Sequence, residues 1–424
     1  MRATITIVEW SYLTTATSKS SIEEQTISPD DFEWLCRLSA SATKKHAAPF
    51  RRHGSISLQA TNFVGVLEAP SGTIIEILPK HFEETASLGQ TRALLCNMIQ
   101  SAMDLPTKEI GEAHLSLFDA PLSEWVAKRF LDAFAHVVKR GIKFDYLRVE
   151  EEQRYLRGQL NMPAQLRQAP GRGAHFQIRH DVFTPDGPEN RLLKTALKLV
   201  AERTQDQGNW RLAHELLSLV HELPISNRPA ADFKRWRKER LMAHYDTVRP
   251  WCELILGRHM PLSVAGEWRG MSMLFPMEKL YERYVESGLR RAMSRDAVMV
   301  SQAASRFLCD YQDKGFFQLR PDMLMTQGER QWVLDAKWKR VNCADIENRF
   351  GLSQSDFYQL FAYGHKYLGG RGDLLLIYPA TEDFSRALGP FVFSDAMRLW
   401  AVPFDLETKK LLLASDNLAP FLQP

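Results

Sequence analysis

The most constraining feature of this 424-residue chain is a pair of β-like runs joined by the turn at residues 327–330, QGER. Gly328 occupies the first central position, as a type II′ turn requires, so the two runs are predicted to form an antiparallel hairpin. Centring the hairpin on this turn places Asp322 opposite Asp335. Cross-strand neighbours have Cβ atoms about 5 Å apart, and Lys337 lies two residues beyond Asp335 on the same face. Two carboxylates and one ammonium group are therefore predicted to converge.

Two carboxylates at that separation repel each other unless a cation lies between them. Mg²⁺ is the natural cation, because it prefers oxygen ligands and is often held by one or two carboxylates plus phosphate oxygens. Such an ion would polarise a phosphodiester and activate water, while Lys337 would orient that water or neutralise developing charge. The alternative is a solvated strand face. Residues 332–338, WVLDAKW, are too apolar to lie wholly in water, which favours the catalytic interpretation.

The composition is that of a globular protein, with 45% hydrophobic and 25% charged residues. At roughly 150 residues per domain, the length predicts about three domains. No run approaches the roughly 18 apolar residues of a membrane span, and the N-terminus lacks the pattern of a signal peptide. We therefore expect a cytoplasmic protein without membrane association. The five cysteines are scattered, which predicts reduced thiols rather than a zinc site or disulfides.

The hydrophobic period changes along the chain and predicts an α+β, multidomain fold. Residues 1–115 contain short alternating runs around turns, which predicts an N-terminal β-rich domain interrupted by one short helix. Residues 116–262 carry apolar residues at helical spacing, which predicts a mainly helical middle region whose first helix is capped by Asp119 and ended by Gly141. Residues 263–424 combine helical and strand patterns, which predicts a C-terminal α/β domain.

Basic residues cluster in two places, which matters because a net charge of +3 does not by itself identify a nucleic-acid partner. Residues 154–179 are basic and interrupted by Gly and Pro, which predicts a loop or irregular strand region. Residues 234–240, KRWRKER, surround Trp236 with five cations. This second cluster either contacts phosphates around an aromatic side chain or forms a solvated helix face. The sequence leaves both interpretations open.

Pro321-Asp322 followed by Asp335-Ala336-Lys337 resembles the PD-(D/E)xK nuclease signature. The surrounding sequence resembles the McrC subunits of McrBC modification-dependent restriction systems. The similar segments are residues 275–282 (FPMEKLYE), 356–363 (DFYQLFAY), 75–81 (IEILPKH), 157–160 (RGQL) and 184–194 (TPDGPENRLLK). The resemblance covers most of the chain and implies a C-terminal PD-(D/E)xK restriction-endonuclease-like domain.

The resemblance also implies residue roles. Asp322 and Asp335 would bind Mg²⁺, and Lys337 would be the catalytic lysine. Glu282 would be an auxiliary acid that reaches the metal or its water; the alternative is an ion pair with neighbouring cations. Gln359 and Tyr363 are four residues apart on one helix face, where they would hydrogen-bond the phosphate backbone or the lysine. Gln359 is the favoured functional member of that pair, because Tyr363 has the alternative of a core position.

The chain contains no G-x-x-x-x-G-K-[ST] motif and no Gly-Lys dipeptide, so we expect no nucleotide hydrolysis by the chain alone. In the resembled systems a separate McrB protein, an AAA+ GTPase ring, recognises double-stranded DNA with modified cytosine. The resemblance therefore implies a Mg²⁺-dependent endonuclease subunit that cuts DNA with that ring, stimulates its GTPase and meets GTP only through it. The N-terminal and helical regions would dock on the ring. The alternatives are a non-catalytic activator of such a ring and a stand-alone DNA repair nuclease.

Overall fold

The computed structural model describes residues 3–16, 21–40, 48–80, 87–103, 120–169, 171–172, 174–237, 239–256, 272–413 and 419–422. These residues form two compact units. The first contains the described residues up to Leu122 and from Leu274 onward, and the second contains those between them. The predicted domain boundaries, near residues 115 and 262, lie outside the described residues, as does Asp119. The three-domain division therefore stays a prediction.

The N-terminal part of the first unit consists of short strands and two helices. Its elements are β1 (Thr4–Val8), β2 (Tyr12–Thr14), β3 (Glu24–Thr26), α1 (Pro29–Ala40), β4 (Phe50–His53), β5 (Ser57–Ala60), β6 (Phe63–Glu68), β7 (Ile74–Leu78) and α2 (Leu88–Ala102). β6 and β7 pair antiparallel, as the two apolar runs around a glycine turn predicted. One sheet has the order β3-β2-β5-β4, and β1, β7 and β6 are neighbours in another. This part is β-rich, as predicted.

The sequence patterns missed helix α2. Its signal was a capping box, in which the Ser87 hydroxyl accepts a hydrogen bond from the Gln90 backbone and the Gln90 side chain accepts one from the Ser87 backbone. The first turn of α2 contains no acidic residue and has a glycine at its second position, so the usual helix-start pattern is weak. The S-x-x-Q spacing alone marked the start of this helix.

A buried carboxylate holds α2 against β7. Glu76 of β7 is fully buried and accepts two hydrogen bonds from the Arg92 guanidinium of α2, at 2.9 and 2.7 Å. Its oxygens also accept hydrogen bonds from the Leu122 backbone and the Thr6 hydroxyl, each at 2.9 Å. A buried charge is tolerated where its partners satisfy it in this way.

The second unit contains the helices that the apolar spacing predicted, together with a small sheet. Its elements are α3 (Leu122–Arg140), β8 (Asp145–Gln153), β9 (Gln159–Leu160), α4 (Met162–Leu166), β10 (Phe176–Thr184), α5 (Pro188–Arg203), α6 (Gln207–Leu219), α7 (Pro229–Arg235), a 3-10 helix (Arg240–Tyr245) and α8 (Arg249–Ile255). Leu122 itself, the first residue of α3, belongs to the first unit. No helix within the described ranges is both long and apolar enough to cross a membrane.

The small sheet corrects the sequence-based view of the middle region. β8 and β10 are nine-residue strands that pair antiparallel along their whole length, and β9 pairs with β10. Residues 154–179 were predicted as a loop or irregular strand, yet they contain β9, α4 and the start of β10. Charged cross-strand pairs such as Arg179 with Glu150, at 2.6 Å, keep both strands polar. That polarity hides the alternation by which strands are recognised.

The C-terminal part of the first unit is a mixed sheet with two long helices. Its elements are β11 (Met273–Pro276), α9 (Met277–Ala292), β12 (Ala297–Ser301), β13 (Arg306–Tyr311), β14 (Lys314–Leu319), β15 (Met323–Gln327), β16 (Arg330–Ala336), a 3-10 helix (Arg349–Gly351), α10 (Gln354–Tyr367), β17 (Gly372–Pro379), β18 (Leu388–Ser394) and β19 (Met397–Phe404). The six-stranded sheet has the order β12-β15-β16-β17-β19-β18. Helix α9 contacts β16, and α10 contacts β16 and β17.

The β15–β16 hairpin has the predicted register. Gln327 pairs with Arg330 and Met323 pairs with Leu334, with three further pairs between them in the same register. Gly328 has φ +56°, as the first central residue of a type II′ turn does. Asp322 precedes the first residue of β15, so the ladder directs it toward Asp335 of β16. The hairpin prediction is confirmed.

Replacing Arg92 by Ala should lower the free energy of unfolding by about 3 to 5 kcal/mol, because the change leaves the Glu76 carboxylate buried without its cation. Urea titration followed by tryptophan fluorescence measures the effect. The control is Lys128→Ala, which removes a partly exposed i,i+4 pair with Asp132 and should cost less than about 1 kcal/mol. Equal losses in the two variants would contradict a structural role for the buried pair.

Candidate active site

The candidate site is built around a buried ion pair at the end of β16. Asp335 is 1% exposed, and its Oδ2 atom lies 2.7 Å from the Nζ atom of Lys337. The Lys337 backbone N–H donates to the Ile377 carbonyl oxygen at 2.9 Å, which extends the pairing of β16 with β17 past the last residue of β16. The backbone that carries both side chains is therefore fixed by a parallel neighbour. Apolar residues surround it, since Leu334 and Ala336 are also buried.

Asp322 joins this pair through the backbone. Its Oδ2 atom accepts a hydrogen bond of 2.9 Å from the N–H of Ala336, the residue between Asp335 and Lys337. Its Oδ1 atom accepts one of 3.1 Å from the side-chain amide of Gln302. The structure thus brings Asp322, Asp335 and Lys337 together, as the hairpin register predicted.

Glu282 lies on α9 beside the aspartates. It is half-buried and lines, with Asp322, a pocket of about 240 Å³ whose remaining walls are Lys279, Arg283, Glu286, Gln302 and Met323. The neighbouring Tyr281 is fully buried, which fixes the rotation of the helix at this point.

The three carboxyl groups have raised pKa values. Burial, followed by the negative charges of Asp335 and Glu282, raises the pKa of Asp322 to about 8. Burial, followed by the charge of Asp335, raises the pKa of Glu282 to about 7. Burial also raises the pKa of Asp335, although the Lys337 ammonium opposes it. Burial would lower the pKa of Lys337, but the Asp335 carboxylate outweighs it and raises that pKa, so the lysine stays protonated.

This arrangement fits a hard divalent cation. Asp335 Oδ1 is buried and has no hydrogen-bond partner among the described residues, which is costly for an ionised oxygen. Within the described ranges no three acidic, His or Cys side chains are placed to hold a metal by themselves. Mg²⁺ is commonly held by only one or two carboxylates together with water and substrate phosphate, so the two aspartates fit it. Glu282 stays a predicted auxiliary acid, linked to Asp335 through their charges.

Gln359 and Tyr363 act on the backbone that precedes Asp322. The Gln359 amide donates to the Tyr363 hydroxyl at 2.7 Å, and that hydroxyl donates to the Arg320 carbonyl at 3.0 Å. Tyr363 is 4% exposed and belongs to the core of the C-terminal sheet. This agrees with the alternative prediction of a core position for Tyr363. The structure does not bring Gln359 into hydrogen-bond contact with Lys337. A contact of Gln359 with the phosphate backbone stays a prediction.

Sequence reasoning missed two further acidic residues near the site. Asp356, in the first turn of α10, is buried and forms an ion pair of 2.8 Å with Lys339. Glu9, directly after β1, is buried and accepts hydrogen bonds from Trp338 Nε1 at 3.0 Å and from the Lys80 backbone at 3.1 Å. Burial raises the pKa of Glu9 to about 7. The sequence offered a signal for Asp356, since acidic residues are typical of the first turn of a helix. It offered none for Glu9, which directly follows strand β1.

In the second basic cluster, residues 234–240, the aromatic side chain of Trp236 is buried. Trp236 is 5% exposed and lies under the Arg249 guanidinium, whose carbon is 5.4 Å from its ring centroid. It packs in the second unit and is not available to stack on a base. Lys234, Arg235 and Arg237 are exposed, while Lys238 lies outside the described residues. These observations favour the solvated surface over the stacking platform.

Comparison with known proteins decides the family. The model of one family, described as McrBC 5-methylcytosine restriction system component, matches residues 58–379, more than half of the chain. The chain belongs to this McrBC family. No curated protein matches it.

Two solved structures have folds similar to that of this McrBC family member. One is a chain of a refined half-complex from a tetradecameric assembly of Thermococcus gammatolerans McrB AAA+ hexamers with bound McrC; it has a TM-score of 0.69 at 19% identity, with 98% of each chain covered. Another is a chain of the Thermococcus gammatolerans McrBC complex, with a TM-score of 0.51 at 19% identity, covering 69% of this chain and 89% of that one. The mixed α+β fold is therefore shared along nearly the whole length of the first.

The raised carboxyl pKa values predict how the metal-free protein responds to pH. The folded protein holds protons on Glu282 up to about pH 7, whereas the unfolded chain releases them near the ordinary value of 4.5. The stability contributed by that proton is therefore complete below about pH 4.5 and is lost as the pH rises through about 7. Glu282→Gln should make the fall in melting temperature between about pH 5 and pH 8 shallower. The control is Glu329→Gln, at the exposed β15–β16 turn.

Thermal melts in EDTA measure both variants across this range. A Glu282→Gln curve with the same slope as the parent would contradict a raised pKa of Glu282.

Proposed function

We propose that this chain is the Mg²⁺-dependent endonuclease subunit of a modification-dependent restriction system, and that its C-terminal part is a PD-(D/E)xK nuclease domain. It hydrolyses phosphodiester bonds of double-stranded DNA containing modified cytosine, in the cytoplasm and together with an McrB-type AAA+ GTPase ring whose GTPase it stimulates. One observation carries the proposal. The Asp322 carboxylate is hydrogen-bonded to the backbone between Asp335 and Lys337, so two acids and a protonated lysine meet in a buried place.

The order of elements supports the nuclease domain. Helix α9 carries an acid, β15 is preceded by Pro321-Asp322, β16 carries Asp335 and is followed by Lys337, and α10 follows before β17. This is the order that the resembled signature implies. The sheet pairs β15 and β16 antiparallel and β16 and β17 parallel, so the acids lie next to the central parallel strand.

The chemistry is divided among the residues by their charge. Asp322 and Asp335 would hold Mg²⁺, which supplies a Lewis acid for the phosphodiester. Lys337 keeps its proton and places an ammonium group where negative charge develops on the phosphate oxygens. Glu282 lines the pocket beside Asp322, where its carboxyl group would reach the metal or its water as an auxiliary acid. The buried surroundings strengthen each of these interactions.

Two observations support the ring as partner. The family described as a McrBC restriction system component contains this chain, and the structure it matches along 98% of its length comes from an assembly of McrB AAA+ hexamers with bound McrC. The sequence carries no phosphate-binding loop, so GTP would be hydrolysed by the ring. The match along the whole chain favours this over a stand-alone repair nuclease. The intact Asp322, Asp335 and Lys337 set favours it over a non-catalytic activator.

Asp335→Ala should abolish DNA cleavage by the chain with its ring, while folding and docking persist. The change removes a metal ligand whose charge is costly to bury. Linearisation of a methylated plasmid with Mg²⁺ and GTP measures cleavage, and a thermal melt checks folding. The control is Asp313→Ala at the exposed tip between β13 and β14. A folded Asp335→Ala variant that cuts at the parental rate would refute the site.

Lys337→Ala should lower the cleavage rate severely but leave Mg²⁺ binding in weakened form, whereas Asp322→Ala should lose the metal. A lysine cannot ligate a cation, whereas the two aspartates share one. Calorimetric titration with Mn²⁺ separates these effects from cleavage. Parental cleavage by the lysine variant, or normal metal binding after loss of Asp322, would contradict the assigned roles.

The chain alone should show no GTP or ATP turnover and should raise the GTP turnover of its cognate ring, because it lacks a nucleotide loop and carries a large region outside the nuclease domain. Phosphate release, measured while the chain is titrated against the ring, tests both statements. Asp335→Ala should stimulate the ring as well as the parent does, because cutting and stimulation use different parts. Hydrolysis by the isolated chain would overturn the assignment.

A further inference from the structure

A row of residues crosses the C-terminal sheet at the level of the candidate site. Ser301 of β12 pairs with Met323 of β15, and the same register places Gln302 opposite Asp322. On the other side of Asp322 the β15–β16 register leads to Asp335. Asp322 therefore has one cross-strand neighbour that carries negative charge and another, Gln302, that carries an amide. The sequence patterns did not single out Gln302.

Gln302 binds Asp322 at two points. Its backbone N–H donates to the Asp322 carbonyl oxygen at 2.9 Å, and its side-chain amide donates to Asp322 Oδ1 at 3.1 Å. The opposite oxygen, Oδ2, accepts from the Ala336 N–H. Each carboxylate oxygen has two lone pairs, so one on each oxygen is left for a cation. The two donors thus fix the direction in which Asp322 presents its free lone pairs.

The backbone of Gln302 is held in an unfavourable conformation. Its φ is +49°, in the left-handed region that side chains other than Gly, Asn and Asp rarely adopt. Residues stay in that region only when their surroundings over-determine it, and such positions cluster at functional sites. Here two hydrogen bonds to Asp322, one from the backbone and one from the side chain, restrain Gln302.

Gln302 also closes the base of an exposed hairpin. β13 and β14 pair only with each other among the described strands, and they lie between Gln302 and Asp322 in the sequence. The Tyr367 hydroxyl lies 2.7 Å from the Ala303 carbonyl and 2.9 Å from the Leu319 carbonyl, which joins the two ends of the hairpin. The two ends of the β13–β14 hairpin are therefore held together next to Asp322. At this base, the Gln302 side chain contacts the Asp322 carboxylate.

We propose that Gln302 is a positioning residue, which orients the Asp322 carboxylate for the divalent cation and thereby sets the cation affinity of the site. The proposal rests on the proposed nuclease function. The role is assigned through Asp322, because the Gln302 side-chain amide donates to that carboxylate. Loss of such an outer partner typically lowers metal affinity or activity about 10- to 100-fold.

The test compares two glutamines with nearly equal positive φ angles. Gln312, at the tip of the β13–β14 hairpin, has φ +48°, and its amide donates to the adjacent Tyr311 hydroxyl at 3.4 Å. The variants are Gln302→Ala, Gln302→Gly, Gln312→Ala and Gln312→Gly in the full chain. Metal-free melting reports stability, calorimetric titration with Mn²⁺ reports cation affinity, and plasmid linearisation with the ring reports cleavage.

Both Gln302 variants should bind Mn²⁺ about 10- to 100-fold more weakly than the parent, and both Gln312 variants should bind it equally well. Glycine relieves the positive φ at either position, so each glycine variant should melt at or above the temperature of its alanine counterpart. A stable Gln302→Gly protein with weak Mn²⁺ binding would separate positioning from folding. In an Asp322→Ala background, Gln302→Ala should cause no further loss.

Parental Mn²⁺ affinity in both Gln302 variants, while Asp322→Ala loses binding, would overturn the positioning role and leave the nuclease proposal standing. Parental Mn²⁺ binding and cleavage in Asp322→Ala and Asp335→Ala would instead overturn the nuclease proposal, and the role of Gln302 with it.

Discussion

The ionised carboxyl group of Asp335 is the constraint on which the C-terminal part of the molecule depends. Asp335 is 1% exposed, its strand β16 pairs with a strand on either side, and its Oδ2 atom lies 2.7 Å from the Lys337 ammonium. An ionised group in such a place destabilises the fold unless partners compensate it. Burial raises the pKa values of Asp322, Glu282 and Asp335, and repulsion by the Asp335 charge raises those of Asp322 and Glu282 further. A bound divalent cation would convert the repulsion into attraction, which is how a metal-dependent site keeps a costly cluster.

Hydrogen bonds from both backbone and side-chain groups set the remaining geometry. Asp322 is held by the Ala336 N–H, by Gln302 and, through the Arg320 carbonyl, by Tyr363. Lys337 is fixed by the Ile377 carbonyl of the parallel neighbour. Strand pairing therefore sets the separation of the charged groups. Side chains on α10 then restrain the segment that enters β15, so helix and sheet act on the same few residues.

The N-terminal strands are tied to this site by a hydrogen bond of their own. Glu9 follows β1 and accepts a hydrogen bond from Trp338, the residue after Lys337, while Tyr281 packs against the Trp338 ring with centroids 5.2 Å apart. Tyr281 in turn precedes Glu282 on α9. A buried acid from the start of the chain thus supports the residues on either side of the carboxyl cluster. This contact is one of several that join the two ends of the sequence within the first unit.

The sequence by itself determined the β15–β16 hairpin, its register and the meeting of Asp322, Asp335 and Lys337, because a glycine turn and a period of two leave one pairing that buries the apolar residues. The sequence also determined the long helices, because the spacing of apolar residues that marks a helix lies within a single segment. Only the tertiary structure decided the contacts of Glu9, Gln302 and Tyr363, because their partners lie far away in sequence. The β8–β10 sheet was hidden for a related reason. Charged residues that pair between the two strands, such as Arg179 with Glu150, interrupt the apolar alternation, which is left only in short pieces such as residues 176–179.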